Sequence, residues 1–321
     1  MIYLFHIGLF YYASGWLFKE DYLQSPLLFA KRKLKGLYIP YVKWGVLYFF
    51  LVNIVSFLLY DKINQDLGSL ADILLFRRVH LLISPLWFLK SLFISEVVFF
   101  CILYLFKNKI AILLLVFLFI YSVGWYCSNK SIKLPMGINR EQVTMFVLFL
   151  GYFCNKHKCN DLVKHNSKVD ALLLLGCLVI LLVGTFLEIK IDTMSCTFSY
   201  WLIYPFYTII GVEFLLCVNS LLSRIVNNQT NLLYKLICLL SKSSLSILAL
   251  HFTCFMLLSI VLKYCGVNQE LNLSNGFVYS SKYWWLYSIV GVLCPLAIVQ
   301  IYGIILNKIK CHSKISSQNI K

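Results

Sequence analysis

Long apolar runs are the feature of this sequence that most restricts its fold. Several stretches, among them 169–188 and 284–306, hold about twenty residues with few charges, the length that a helix needs to cross the hydrocarbon core of a bilayer. Hydrophobic residues make up 60% of the chain and charged residues 13%, whereas a soluble domain carries about 25% charged residues. A soluble chain of this length could not bury so much apolar surface. The sequence therefore predicts an all-α integral membrane protein.

Nine of the runs are predicted to span the membrane, so the expected fold is a bundle of about nine transmembrane helices. The fifth run is short for a span, and we expect it to begin earlier, to tilt or to be shielded by neighbouring helices. The stretch 232–240 is too short to cross, and we expect it to lie in the interface. The predicted spans are residues 1–18, 38–60, 86–106, 110–127, 141–154, 169–188, 200–222, 244–264 and 284–306.

The positions of the apolar runs and of the charged residues also predict the domain organisation and the orientation in the membrane. Residues 1–306 are predicted to form one transmembrane domain, and residues 307–321 a basic, cytoplasmic tail that is disordered. The net charge is +16, but the basic residues lie in short loops, so they indicate topology rather than nucleic-acid binding. About two thirds of the Lys and Arg residues fall on one side, which predicts a cytoplasmic C-terminus and an outward N-terminus in the inner (cytoplasmic) cell membrane.

The cysteine pattern argues against a disulfide framework and against a metal site. The chain has twelve cysteines and no CxxC pair. Most of them stand inside apolar runs, where cysteine acts as a small hydrophobic residue. We therefore predict no structural disulfides and no bound metal.

Five of the ionisable residues within the predicted spans are candidate functional residues. An ionised side chain at the centre of a span costs about 2.5–3.5 kcal/mol on insertion scales, so it is retained for a reason. Lys90 and Glu96 are six positions apart, which places them on different faces of a helix and makes a direct pair unexpected. Glu96 and Glu213 have two open interpretations, a pathway residue or a neutral, hydrogen-bonded buried carboxyl. The other two candidates are His6 and His251.

The two histidines could act as general bases, because the unperturbed pKa of an imidazole lies near neutral pH. For His251 the spacing alone favours a structural hydrogen bond to a neighbouring helix, since no partner is visible in the sequence. His6 begins a stretch that contains Ser14 and Gly15, and these small residues predict a close helix–helix contact.

The densest charge cluster is Lys31-Arg32-Lys33-Leu34-Lys35, in a predicted cytoplasmic loop. One interpretation is an anchor that obeys the positive-inside rule. The other is a phosphate-binding patch for a nucleotide-like donor. The motifs GxGxxG, GxxxxGK and GxSxG are absent, so any such donor is held without a Rossmann or P-loop cradle.

Four segments, in order along the chain, carry a family resemblance. Residues 5–18 read FHIGLFYYASGWLF, residues 31–41 read KRKLKGLYIPY, residues 86–93 read LWFLKSLF and residues 243–252 read SSLSILALHF. Together they resemble the acyltransferase family 3 membrane proteins, in particular the fucose 4-O-acetylase-like branch that O-acetylates oligosaccharides and polysaccharides.

The resemblance implies a bundle of ten membrane helices with both termini in the cytoplasm. The nine predicted spans match that bundle without its first helix, which in the family carries an Arg and the His usually assigned to acyl transfer. We therefore expect that helix to be missing from the 321 residues. The paired Arg of the family's basic motif would correspond here to Arg32 and Lys35, and Lys35 keeps the charge but lacks the planar guanidinium fork.

The resemblance also implies transfer of an acetyl or similar acyl group from cytoplasmic acyl-CoA to a hydroxyl of an extracytoplasmic or lipid-linked sugar. Acyl-CoA would be a substrate rather than a permanently bound cofactor, and the other partners would be the sugar acceptor and the lipid bilayer. Lys31, Arg32 and Lys35 would meet the donor, while His6 and His251 would line the cavity between donor and sugar.

Alternatives to this function stay open at the level of sequence. The true start lies upstream, or the chain is a degenerate relative, or His6 or His251 has taken over the reaction. We expect the 321 residues to be inactive in isolation, which an assay of O-acetyl content in an O-antigen-producing host would check. A transporter or polymerase of lipid-linked glycans, with Lys90, Glu96 and Glu213 as pathway residues, is the second candidate, and a non-catalytic membrane scaffold is the third.

Overall fold

The computed structural model describes residues 1–61, 66–77, 81–106, 109–132, 134, 137–159, 167–225, 232–267 and 281–318. This part of the chain is almost entirely helical, which confirms the all-α prediction. The α-helices are α1 (His6–Trp16), α2 (Asp21–Gln24), α3 (Pro26–Lys33), α4 (Ile39–Tyr60), α5 (Leu67–Leu74), α6 (Trp87–Leu105), α7 (Ile110–Asn129), α8 (Ile138–Lys156), α9 (Ser167–Phe186), α10 (Ile203–Ile225), α11 (Leu232–Tyr264) and α12 (Trp284–Gln318). Other elements are 3-10 turns at Ile2–Leu4, Leu81–Leu86 and Ser281–Tyr283, a π-helical turn at Leu34–Tyr38, and the antiparallel strands β1 (Ile191–Asp192) and β2 (Thr197–Phe198).

Seven helical stretches within the described residues are long and apolar enough to cross a membrane, so the chain is a multi-pass membrane protein. The helices α1 and α8, which correspond to the predicted first and fifth spans, are not among the seven. Helix α1 has only 11 residues, and α8 starts earlier than predicted and carries more polar residues. The seven stretches are Pro26–Ile54, Ser84–Leu105, Ile110–Asn129, Lys168–Phe186, Ile203–Arg224, Leu232–Tyr264 and Trp284–Ile305.

The chain divides into two compact units, and the first contains Met1–Pro40 and Trp87–Asn227. Helix α8 is central in this unit, because it packs against α1, α6 and α7, while α10 packs against α9 and α1. Most side chains of α8 are buried. Neighbouring helices rather than lipid surround it, which explains how a helix of low hydropathy lies in the bundle and confirms the predicted shielding of the fifth span.

Helices α1 and α8 cross with their backbones in contact. A Cβ added at Gly15 would overlap the carbonyl oxygen of Leu148, and a Cβ added at Gly151 would overlap the carbonyl oxygen of Tyr12. Each helix therefore supplies one glycine to the crossing, as small residues do where membrane helices approach closely. For Gly15 this confirms the close contact predicted from the sequence.

The basic segment predicted as a loop is helical, which corrects the sequence-based assignment. Helix α3 continues through the π-helical turn Leu34–Tyr38 directly into α4. Lys and Arg are good helix formers, so a run of positive charge does not end a helix by itself. Pro40 lacks an N–H, and its ring would crowd the carbonyl group of Gly36 in a regular α-helix. The wider π turn at this place accommodates the proline.

The second unit contains Tyr41–Leu86 and Asn228–Lys321, and its helices α11 and α12 pack along each other. Helix α11 runs without a break from Leu232 to Tyr264, so residues 232–240 belong to a longer helix, and their place in the interface stays a prediction. At 1.5 Å per residue its 33 residues extend about 50 Å, which exceeds the hydrocarbon core of about 30 Å. A polar stretch near Ser243 therefore fits in the helix, because part of α11 can lie beyond that core.

The C-terminal segment also differs from its prediction. Helix α12 runs to Gln318, so the described part of 307–321 is helical rather than disordered. Extending an existing helix adds one hydrogen bond per residue and needs no new nucleus, and this favours continuation. Each unit combines an early and a late segment of the chain, and the single domain over 1–306 stays a prediction.

A buried ion pair links α9 to α10 and gives a first testable expectation. The Asp170 carboxylate is fully buried and accepts hydrogen bonds from Ser220 Oγ at 2.7 Å and Arg224 Nη2 at 2.9 Å. We expect Arg224→Met to lower the free energy of unfolding by about 2 kcal/mol, because the carboxylate loses its cation, while the partial exposure of Arg224 limits the cost. Thermal unfolding in detergent measures this effect. The same change at the exposed Lys130 is the control, and equal melting temperatures would contradict the expectation.

Candidate functional site

The end of the first unit that carries α3 holds the predicted donor-binding residues, and we call it the basic end. Lys31, Arg32 and Lys35 are exposed there, close together along one helical segment. Neither Lys31 nor Lys35 forms an ion pair with any other residue in the described ranges. The structure thus leaves the charge of these two lysines facing solvent, and their binding of a donor stays a prediction.

Lys33, the remaining cation of the cluster, points inward instead. Its Nζ donates a hydrogen bond to Glu96 Oε1 on α6 at 2.8 Å, and Ser14 Oγ on α1 donates to the same oxygen. Glu96 is only 3% exposed. Its carboxyl is therefore buried and hydrogen-bonded, as one of the two sequence interpretations held, and one of its partners is the ammonium group of Lys33. This pair fixes α3 to α6 and α1.

Two further contacts order the basic end. Arg32 Nη1 donates to the Tyr22 hydroxyl at 3.1 Å, and its guanidinium carbon lies 5.7 Å from the centre of that ring. Glu20 Oε1 accepts from Lys156 Nζ at 2.7 Å and from the Tyr152 hydroxyl at 2.8 Å, which joins the segment after α1 to the end of α8. Exposed ion pairs of this kind contribute little to stability, but they restrict where the side chains can point.

The opposite end of the first unit carries the β1–β2 hairpin and the start of α1, and we call it the hairpin end. His6 lies here, half-buried, with Nδ1 at 3.1 Å from the carbonyl oxygen of Ile2 and its ring edge-on to Tyr3. A carbonyl oxygen only accepts hydrogen bonds, so Nδ1 carries the proton in the neutral ring. Nε2 is then the nitrogen that can accept one.

His251 belongs to the second unit, where it is half-buried on α11. Its Nδ1 lies 2.9 Å from the carbonyl oxygen of Ile247, and its ring packs against Phe252 and Phe255. The partner is thus the backbone of its own helix rather than a neighbouring helix. His6 and His251 thus belong to different units.

The remaining sequence candidates, Lys90 and Glu213, have separate surroundings in the first unit. Glu213 on α10 is half-buried, and the Cys217 thiol donates to its Oε1 at 3.6 Å. Lys90 on α6 is half-buried and lies near Glu141 and Arg140. As expected from their spacing, Lys90 does not pair with Glu96, whose cation is Lys33. The sequence therefore predicted the polar positions but not their partners.

Glu141 is the most unusual residue at the hairpin end, and the sequence analysis did not select it. It is 2% exposed, and neither of its carboxylate oxygens has a partner in hydrogen-bonding geometry among the described residues. Its closest polar neighbours are Arg140, Ser91 and Lys90. The sequence did contain a signal for Glu141, because an acidic residue in an apolar run is a candidate functional residue by default. Helix α8 begins at Ile138 and therefore includes Glu141.

Other polar groups cluster around Glu141. The Tyr11 hydroxyl donates to Ser91 Oγ at 2.8 Å, and Tyr11 lies within electrostatic range of Glu141 and Arg140. The Arg140 guanidinium lies 4.6 Å from the centre of the Trp87 ring and donates through Nη2 to the carbonyl oxygen of Met194 at 3.0 Å. Helices α1, α6 and α8 and the hairpin thus each contribute to one buried polar region.

A small cavity of about 180 Å³ adjoins this region. Trp125 and Cys196 are among the residues that line it, and Cys196 lies within electrostatic range of Arg140 and Glu141. Burial raises the pKa of the Cys196 thiol above its usual value, so the group stays protonated near neutral pH and accepts a hydrogen bond from Ser128 Oγ at 3.0 Å. The other lining residues are Ser128, Asn129, Ser131, Thr197 and Phe198.

Comparison with known proteins gave one match. A family model described as an acyltransferase domain matches residues 1–304, nearly the whole chain. No curated protein and no solved structure matches. The family match favours an acyl-transfer activity over the transporter or polymerase that the polar membrane residues also allowed.

Proposed function

The chain belongs to acyltransferase family 3, and from that membership we propose that it transfers an acetyl or similar acyl group from cytoplasmic acyl-CoA to a hydroxyl of an extracytoplasmic or lipid-linked sugar. The observation that supports this proposal most is the division of the first unit into two polar ends. The basic end presents exposed cations, and the hairpin end encloses hydroxyl groups and the Glu141 carboxyl group, with Lys90 and Arg140 beside it. These surroundings suit an anionic donor and a hydroxyl acceptor respectively.

The basic end is suited to coenzyme A because the donor carries several phosphate groups. Lys31, Arg32 and Lys35 are exposed cations, and hydrogen bonds between such cations and phosphate oxygens are the strong, charge-assisted kind. Lys33 is held by Glu96, so it orients the segment and the other three residues provide the binding charge. Only Arg32 offers the two-pronged geometry that matches a phosphate group, whereas the lysines act as point charges.

The positive-inside rule orients the proposed reaction. It places the basic end at the cytoplasmic face, where acyl-CoA is present, and the hairpin end at the outer face. The acyl group would then pass along the first unit between these ends.

The tautomer of His6 fits a role as proton acceptor at the outer face. Because Nδ1 donates to the carbonyl oxygen of Ile2, Nε2 of the neutral ring keeps its lone pair. A sugar hydroxyl is a weak nucleophile, and a base near neutral pH helps it to attack a thioester carbonyl carbon. His251 has the same tautomer through the carbonyl oxygen of Ile247, so it is the second candidate for this role.

Donor binding by the purified, detergent-solubilised chain tests the proposal without requiring turnover. We expect saturable, salt-sensitive binding of acetyl-CoA, and the double change Arg32→Gln with Lys35→Gln should weaken it about 10- to 100-fold, because it removes charge-assisted contacts to phosphate. Lys130→Gln removes an exposed lysine at the hairpin end and should leave the affinity unchanged. Absence of acetyl-CoA binding by the unaltered chain would overturn the proposed reaction.

A further inference from the structure

The hairpin end contains a buried carboxylate whose hydrogen-bonding capacity is unused. Both oxygens of Glu141 lack a partner in bonding geometry among the described residues, although Ser91 is close by. An ionised carboxylate accepts hydrogen bonds only, and leaving one buried without them costs more than for a neutral group. Buried polar groups in folded proteins are otherwise almost always satisfied, so such an exception requires an explanation.

Glu141 is not the only buried group at this end without a hydrogen-bond partner. The hydroxyl groups of Tyr204 and Tyr121 and the indole Nε1 of Trp125 are also buried and have no partner in bonding geometry within the described ranges, although Thr193 lies near the first hydroxyl and the backbone of Leu202 near the second. Tyr204 and Tyr121 are 1% and 0% exposed. Tyr204 lies within electrostatic range of Tyr11 and Tyr121. Tyr11 itself lies within electrostatic range of Glu141. Trp125 lines the same cavity as Cys196, which lies within electrostatic range of both Glu141 and Tyr204, so these unpartnered groups belong to one region.

From this convergence we propose that Glu141, Tyr204 and Trp125 form a binding site for the hydroxyl-bearing acceptor, with Glu141 accepting a hydrogen bond from the hydroxyl to be acylated. The identity of the ligand as the acceptor rests on the proposed function. Each orphaned group has a complement in a polyhydroxylated molecule, because an alcohol both donates to a carboxylate and accepts from a tyrosine hydroxyl or an indole N–H.

The aromatic surroundings support the same class of ligand. Trp125 lines the cavity of about 180 Å³, and Trp87 lies under the Arg140 guanidinium beside Glu141. The cavity lining combines two aromatic side chains, Trp125 and Phe198, with several small polar ones, and aromatic walls with placed polar groups are a feature of small-molecule sites. A cavity of this volume has room for roughly six water molecules, which a hydroxylated ligand could displace.

The experiment is a titration of the full, detergent-solubilised chain with methyl glycosides of neutral hexoses, followed by saturation-transfer difference NMR. We expect saturable binding of at least one glycoside by the unaltered chain. Glu141→Gln should weaken that binding about 10-fold or more, because a hydrogen bond between the ligand and the carboxyl group is lost. Tyr204→Phe removes only the hydroxyl group, which lies near Thr193, and should weaken binding several-fold while the protein stays folded.

Controls separate this inference from the proposed function. Glu188→Gln changes an exposed carboxylate and should bind the glycoside like the unaltered chain. Both test variants should retain acetyl-CoA binding, which depends on the basic end and also reports that they are folded. If acetyl-CoA binds but no glycoside does, or if the unaltered chain and both variants bind the glycoside equally, the inference is overturned while the proposed donor site stands. If the unaltered chain does not bind acetyl-CoA, this result would instead contradict the proposed function.

Discussion

Replacing Gly151 with alanine should leave little folded protein, and the same change at Gly15 should have a similar effect. At both positions a Cβ would overlap a backbone carbonyl oxygen of the partner helix, and a backbone atom cannot move aside as a flexible side chain can. Overpacking costs about 1–3 kcal/mol where side chains can adjust, so we expect about 3 kcal/mol or more here. Size-exclusion chromatography and thermal unfolding in detergent measure the loss.

Gly176 on α9 is the matched control, because a Cβ there would meet nothing within 4 Å. Gly176→Ala should be neutral or stabilising by up to about 1 kcal/mol, since alanine is the better helix former. The same Gly→Ala substitution is thus expected to destabilise the protein at Gly151 but not at Gly176, although both glycines lie in helices of the first unit. Melting of Gly151→Ala at the temperature of the unaltered protein would show that α1 and α8 do not cross as described.

The second large effect is expected at the pair of Lys33 and Glu96. Lys33→Met alone should lower the free energy of unfolding by about 3 kcal/mol, because it leaves the Glu96 carboxylate buried without its cation. Glu96→Met alone should be costly for the converse reason. The double variant should recover most of the loss, since two apolar side chains of similar size can replace a buried pair at little net cost. A double-mutant cycle of thermal stabilities measures the coupling.

The pair of Lys156 and Glu20 provides the comparison, because it has nearly the same N–O distance at 2.7 Å but lies at the surface. Lys156→Met should cost less than about 1 kcal/mol, as exposed pairs usually do. We also expect Lys33→Met to weaken acetyl-CoA binding, because the segment that carries Arg32 and Lys35 loses its fixed position. Additive effects of the two single changes at Lys33 and Glu96 would show that the buried pair is not coupled.

Most of the membrane architecture could be predicted from the sequence, because an apolar run of span length has few alternatives in a bilayer. The boundaries were less predictable. Helix α11 continues through its polar stretch near Ser243, and α3 continues through a charged one, since local polarity does not break helical hydrogen bonding. The sequence predicted α8 only as a short span, because its own hydropathy is low. Its burial depends on neighbouring helices instead.

The candidate site was less accessible to prediction than the fold. His6, Lys90 and Glu96 could be selected because each is ionisable within an apolar run. Their partners are far away in sequence, as for Lys33 and Glu96, and one sequence holds no record of such contacts. Glu141 was passed over because it stood at the edge of a predicted span, and its unsatisfied carboxylate becomes visible only when its surroundings are known.

The glycine crossing of α1 and α8 has a mechanical consequence. Tyr11, which reaches the hairpin end, and Ser14, which reaches Glu96, are three residues apart on α1 and lie beside the crossing. Because the two backbones are in contact there, α1 cannot slide closer to α8, but it can tilt about that point. A tilt would displace Tyr11 and Ser14 together, so the polar region at the hairpin end and the attachment of the cationic segment at the basic end would be geometrically linked through one pivot.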